Sequence, residues 1–220
     1  MLNESKGNMY DFVTHTWNPI KGACHHMCSY CYMKRWGKQK PVRLDEKDLN
    51  TYHKGGNFIF VGSSCDMWAK DIPDEWISRV LEKCTIFNRY FFQSKNPARF
   101  LDFTKELPNA SVYCTTLETN RHYLDTMMLA PPPLARVKAM MKVTQVKPVY
   151  ITIEPIMKFD LIEFTQMIKA CDPKQVNIGA DSQKSGLPEP TGNEVKELIE
   201  ALSEFTVVHQ KSNLKRIISN

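Results

Sequence analysis

The chain has 220 residues, 42% of them hydrophobic, and 29 basic against 24 acidic side chains give a formal charge of +5. That length and apolar content suit one buried core and exclude a disordered chain, and no window approaches the roughly 18 apolar residues of a membrane span. The seven cysteines, an odd number with Cys65, Cys84, Cys114 and Cys171 scattered singly, make a poor disulfide framework. Together with a polar opening stretch, MLNESKGNMYDF, that lacks the apolar run of a signal peptide, this predicts a reduced, cytoplasmic protein without a membrane anchor.

In chain order, β-rich runs predict strands over 11–16, 57–61, 90–93, 111–115, 149–153, 175–178 and 206–209. Amphipathic runs between them predict helices over 74–87, 97–107, 120–128 with 134–143, 160–171 and 193–205. Pro131-Pro132-Pro133 marks a loop and a new helix start. Regular βα alternation over a single domain, 1–220, argues for an α/β fold with mostly parallel strands, open or closed as a full or partial barrel. In such folds function gathers at the strands' carboxyl ends. Polar clusters follow the strands accordingly: Gly62-Ser63-Ser64-Cys65-Asp66, Ser94-Lys95-Asn96, Thr115-Thr116-Leu117-Glu118, Glu154-Pro155 and Gly179-Ala180-Asp181.

The loop after the first strand, residues 22–32, reads GACHHMCSYCY and holds Cys24, Cys28 and Cys31 in the spacing Cys-x-x-x-Cys-x-x-Cys. Three thiols on one short loop can converge on a metal centre without help from distant chain. A structural zinc site needs a fourth ligand, and His25 or His26 is at hand. A four-iron cluster held by three thiolates instead leaves one iron open to an exogenous ligand. At this point both readings stand.

The spacing of Cys24, Cys28 and Cys31, with Tyr30 just before the last cysteine, resembles the radical S-adenosylmethionine superfamily. A closer likeness is to phage-type radical SAM proteins related to spore photoproduct lyase, carried by Thr16-Trp17-Asn18-Pro19, Ser94-Lys95-x-Pro97-x-Arg99, Glu118-x-Asn120 and Ile153-Glu154-Pro155. The resemblance implies a partial (βα)6 TIM-like barrel, a [4Fe-4S] cluster, S-adenosyl-L-methionine as cofactor and a flavodoxin- or ferredoxin-type electron donor. The implied chemistry is reductive cleavage of the sulfonium followed by hydrogen abstraction from a substrate.

It also implies site roles. Many members place Gly-Gly-Glu after the second strand to meet the methionyl amino group; this chain has Ser63, Ser64 and Asp66 there instead. Lys95 matches the lysine that faces the methionine carboxylate in the lyase relatives. Tyr30, Thr116, Glu118 and Asn120 are candidates for contacts to adenine, ribose or substrate, although Glu118 could equally complement a helix dipole. Glu154 and Asp181 end neighbouring strands as polar contacts. Cys65 and Cys114 are candidates for returning hydrogen to a product radical, against the plainer reading of inert packing. Arg99 is divided between structure and phosphate binding. Beyond the barrel only a short basic tail, 209–220, remains, and a thinly covered mouth favours a large substrate, a nucleic acid base or a polypeptide, over a free metabolite; the lyase likeness and the mild positive charge favour a nucleic acid base or nucleotide. A peptide, a small metabolite or a non-catalytic zinc or iron–sulfur module are the alternatives.

Overall fold

Apolar runs such as Phe58-Ile59-Phe60-Val61 and Val149-Tyr150-Ile151-Thr152-Ile153 are rich in the β-branched and aromatic residues that suit a strand covered on both faces. The computed structural model describes residues 1–6 and 9–219. Its strands are β1 (Leu2–Glu4), β2 (His15–Trp17), β3 (Ile20–Lys21), β4 (Arg43–Leu44), β5 (Phe58–Val61), β6 (Arg89–Ser94), β7 (Ser111–Thr116), β8 (Val149–Ile153), β9 (Gln175–Ile178) and β10 (Val207–Gln210). Eight form one sheet in the order β1-β2-β5-β6-β7-β8-β9-β10, and β3 pairs with β4 in a separate two-stranded ribbon. Every pair from β2 to β10 in the large sheet is parallel, and β1 is an antiparallel edge on β2.

The helices are α1 (Glu46–Leu49), α2 (Asp74–Glu82), α3 (Leu124–Met127), α4 (Pro133–Val143), α5 (Leu161–Ala170), α6 (Gly192–Ser203) and α7 (Lys215–Ile218). Pro133 opens α4, where a missing amide costs nothing, and a Thr191/Glu194 capping box opens α6. Residues such as Tyr90, Phe92, Tyr113 and Ile151 on one face of the sheet share a core with Ile77, Val137, Met140 and Leu198 from the helices. Strand alternation sends Phe60, Phe91, Val112 and Cys114 to the opposite face. There they meet Tyr10 and Val13 of the amino-terminal segment, with Phe12 packed alongside. The Tyr10 ring centroid lies 5.0 Å from that of Phe91, and Phe12 lies 5.6 Å from Tyr150. A short amino-terminal stretch therefore fills the inside of the sheet.

Four expected boundaries differ. The first strand begins at His15, because Tyr10 to Val13 turn inward as filler. The helix expected over 74–87 stops at Glu82, and the amide of Thr85 is taken instead by the Tyr90 hydroxyl, 2.8 Å away. The run 97–107 forms a 3-10 helix over Pro97–Phe103. The run 120–128 is helical only over Leu124–Met127, since Asn120 bonds Asp160 and Glu163 at the start of α5. Among the described residues no helix is long and apolar enough to cross a membrane.

Candidate active site

The cysteine loop leaves the β2 end of the sheet and is pinned on two sides. Gly22 has φ +125°, and a Cβ there would come within 2.6 Å of the Pro41 carbonyl oxygen, so only glycine fits between the loop and the 40–42 segment. On the other side the Ser29 amide donates to the Thr126 carbonyl (2.9 Å) and the Leu129 amide to that of His26 (3.1 Å). Cys24, Cys28 and Cys31 thereby face one cavity of about 790 Å³ at the strands' carboxyl ends, with Cys28 buried and the other two partly exposed. A hydrogen bond from the Cys65 thiol draws the Cys24 thiol down to about 6, while Cys65 itself is pushed far up and stays protonated. Burial raises the Cys28 thiol, against the pull of the Lys95 ammonium.

Each histidine of the loop has one ring nitrogen beside a carboxylate, and the buried Nδ1 of His26 has no hydrogen-bond partner among the described residues. His26 Nε2 lies 2.8 Å from Asp66 Oδ2 and His25 Nδ1 lies 3.6 Å from Asp71. Among the described residues no three His, Cys, Asp or Glu side chains are gathered around a single ion position. A four-iron cluster makes no such demand, because each thiolate binds a different iron.

Asp66 is a junction of the cavity wall. Its Oδ2 accepts from His26, from the Ser94 hydroxyl (2.9 Å) and from the Lys95 amide (2.9 Å), and its Oδ1 accepts from the Trp68 amide (3.0 Å). Burial alone would raise this carboxyl, but His26 and the amides outweigh it and hold it below the usual carboxylate range. Ser63 and Ser64 line the cavity and are fixed from beneath by Asn18. The Asn18 amide donates to the Ser63 hydroxyl (3.1 Å), and Asn18 Oδ1 accepts from the Ser64 amide (2.9 Å). The Tyr32 hydroxyl donates to the Ser63 carbonyl (2.7 Å).

Beside the loop lies a buried charge cluster. Glu118, fully buried, accepts from the Tyr30 hydroxyl, from Lys95 Nζ at 3.3 Å and from Arg136 Nη1 at 2.8 Å. Arg136, also fully buried, donates further to the Thr116 and Pro131 carbonyls. Burial would raise the Glu118 carboxyl, but Arg136 and Lys95 outweigh it and hold it at about 2. Two cations against one carboxylate leave one positive charge, and Lys95, which lines the cavity, carries it toward the thiols. Arg136, not among the site residues expected from the sequence, sits three residues from Pro133 and four from Met140 on the buried stripe of α4.

The remaining expected site residues fall in three places. Thr116, Glu154 and Asp181 line the cavity. Thr116 accepts from Gln93 (2.9 Å); Glu154 pairs with Lys211 (2.6 Å) and accepts from Asn213 (2.9 Å); Asp181 accepts from the Gln183 amide (2.9 Å) and from that of Ser185. A Cβ at Gly179 would meet Glu154 Oε1 at 2.7 Å, so that glycine makes room for the carboxylate. Cys65 lines the cavity beside Cys24, whereas Cys114 is fully buried under Tyr10, its thiol 3.4 Å from the Thr152 hydroxyl. Asn120 is spent on α5, and its amide reaches Glu163 at 2.8 Å. Arg99 resolves toward structure: it donates to the Ala69 and Ile72 carbonyls and pairs with Asp74.

No family model and no curated protein matches the chain. Solved structures do. Spore photoproduct lyase complexed with dinucleoside spore photoproduct superposes with a TM-score of 0.61 at 12% identity, over 90% of this chain and 64% of that one. The chain has the fold of spore photoproduct lyase. A single-site mutant of the lyase gives 0.66 at 11% identity, over 94% of this chain and 80% of that one. SuiB of Streptococcus suis, bound to S-adenosylmethionine, gives 0.61 at 10% identity, over 90% of this chain and half of that one. The expected α/β fold of mostly parallel strands is thus the observed architecture, and these neighbours lend no support to a phage-type subgroup.

Proposed function

We propose that this chain is a radical SAM enzyme whose substrate is a nucleic acid base or nucleotide. One observation carries the reading: three closely spaced thiols and a buried lysine with an excess positive charge open onto the same cavity at the carboxyl ends of a parallel sheet. Cys24, Cys28 and Cys31 would hold a [4Fe-4S] cluster, and the donor set fits, with one thiol already favouring its ionised form at neutral pH and a cation beside another. Lys95, kept protonated by Glu118, would receive the methionine carboxylate of S-adenosylmethionine. Ser63 and Ser64, steadied by Asn18, and Thr116, steadied by Gln93, would supply its neutral contacts. When bound, the cluster and S-adenosylmethionine supply one-electron cleavage of the sulfonium and hydrogen abstraction, with a flavodoxin- or ferredoxin-type donor as electron source. The protein's share is to aim the nucleoside and to keep water out. Glu154, Asp181 and Lys211 line the cavity as contacts for a substrate base or hydroxyl.

The lyase neighbour's dinucleoside ligand and the chain's net positive charge support a nucleic acid substrate. A base held in a duplex would have to be extruded to enter such a cavity. The test is anaerobic reconstitution followed by assay for 5′-deoxyadenosine with deuterated DNA or RNA. Deuterium in the 5′-deoxyadenosine is the expected result. A colourless protein holding one zinc would end the reading, and cleavage without deuterium transfer from either nucleic acid would end its substrate half.

A further inference from the structure

Two cations of the basic tail are paired: Lys211 with Glu154 and Arg216 with Glu189. A contiguous run of unpaired cations lies elsewhere. Residues 32–43, YMKRWGKQKPVR, contain Lys34, Arg35, Lys38, Lys40 and Arg43 and no acidic residue, which equals the chain's whole formal excess of +5. All five are exposed, and among the described residues none forms an ion pair within 4 Å. The acidic neighbour of this strip, Asp45, is bonded to Lys21 at 3.1 Å. Within the strip the Arg35 guanidinium sits over two rings, 4.1 Å from the Trp36 centroid and 5.6 Å from that of Tyr32. Trp36 is nevertheless 55% exposed. Trp36, Lys38, Lys40 and Arg43 line a hollow of about 370 Å³ that shares Lys38, Gln39 and Ser64 with the main cavity.

We propose that this strip is the docking surface for single-stranded nucleic acid, an inference that rests on the substrate reading above. Phosphates would lie along Lys38, Lys40 and Arg43, an unpaired base would stack on the Trp36 ring, and the strand would run from the hollow across Ser64 into the cavity. Cationic grooves with ring platforms suit single strands because every base offers a π-face and the backbone carries the charge. A protein partner is a poorer fit, since such interfaces centre on an apolar core and this strip offers isolated rings set among cations.

The experiment measures binding of a fluorescein-labelled mixed-sequence single-stranded DNA, its RNA counterpart and the matching duplex to the full chain by fluorescence anisotropy over a range of salt. K38Q/K40Q/R43Q should lower the slope of log affinity against log salt by about 2. Trp36→Ala should weaken single-strand binding roughly 5- to 150-fold, and Trp36→Phe, which keeps a ring, should retain most of it. Unchanged affinity and slope in both the triple variant and Trp36→Ala overturns the proposal, as does tighter binding of the duplex than of the strand. Slower reduction of the cluster by a reduced flavodoxin in variants that bind oligonucleotide normally would overturn it in favour of an electron-donor surface. Deuterium transfer from nucleic acid in the wild type, with binding unaltered in the variants, removes this surface and leaves the substrate reading standing. Failure of the wild type to bind any oligonucleotide removes both.

Discussion

Arg136→Met tests the buried charge cluster directly. The substitution keeps a long side chain in a fully buried position while removing the donor that faces Glu118 at 2.8 Å and the donors to the Thr116 and Pro131 carbonyls. Removing one partner of a buried pair costs about 3–5 kcal/mol, mostly because the other charge is left uncompensated. Here Lys95, at 3.3 Å, and Tyr30 still face Glu118, so the lower end, about 3 kcal/mol, is expected. The pH dependence gives a second measure. Glu118 is held at about 2 against an ordinary 4.5, which at about 1.4 kcal/mol per pH unit corresponds to roughly 3 kcal/mol. Because the folded value is the depressed one, that stability is complete above 4.5 and is lost as the pH falls toward 2. Urea unfolding of the cluster-free chain reads both: Arg136→Met should lose about 3 kcal/mol at pH 7 and show a shallower decline below pH 4.5. Adding Glu118→Gln should restore much of the loss. An Arg136→Met protein within about 1 kcal/mol of wild type at pH 7 would refute the account of a charge left stranded.

Three further outcomes are expected. Alanine at Cys24, Cys28 or Cys31 should abolish the four-iron absorbance after reconstitution, whereas alanine at Cys84 or Cys171 should not; equal iron content in all five would defeat the cluster assignment. In the cluster-free chain Cys24 should alkylate with an apparent pKa near the value of about 6 set by the Cys65 hydrogen bond, and Cys65→Ala should move it up toward 9.0, measured by iodoacetamide labelling and mass spectrometry across pH. Tyr10→Phe should cost about 1 kcal/mol in urea, because it removes the hydroxyl that meets Gln93 at 2.7 Å and Thr152 at 2.8 Å, while Gln93 keeps Thr116 and Thr152 keeps the Cys114 thiol.

The central strands β5 to β8 could be read from the sequence because burial on both faces makes them nearly continuous apolar runs, and their order follows from βα alternation. The antiparallel edge Leu2–Glu4 and the ribbon of Ile20–Lys21 with Arg43–Leu44 are too short to show a period. Within the site, Cys24, Cys28 and Cys31 were legible from spacing, and Lys95, Ser63 and Ser64 from their place after strands. A lone arginine on a helix gives no direct sign of burial; the available clue for Arg136 is its position on the same stripe as Val137, Met140 and Val143. Tyr10 carried no clue, since its partners lie far along the chain. The net charge is visible in the sequence, but only the structure shows that Lys211 and Arg216 of the tail are paired while, among the described residues, the five cations of 34–43 are not.

The Tyr10 hydroxyl meets that of Thr152 across 142 residues of sequence. Contacts of such span form late, because a long loop must close before they bring any gain. A ribosome therefore makes the filler well before it makes the last wall of the chamber the filler occupies. Until Val149–Ile153 has added to the sheet, Tyr10 and Phe12 have no complete seat, so the floor beneath the cavity is set only when most of the chain has already been synthesised.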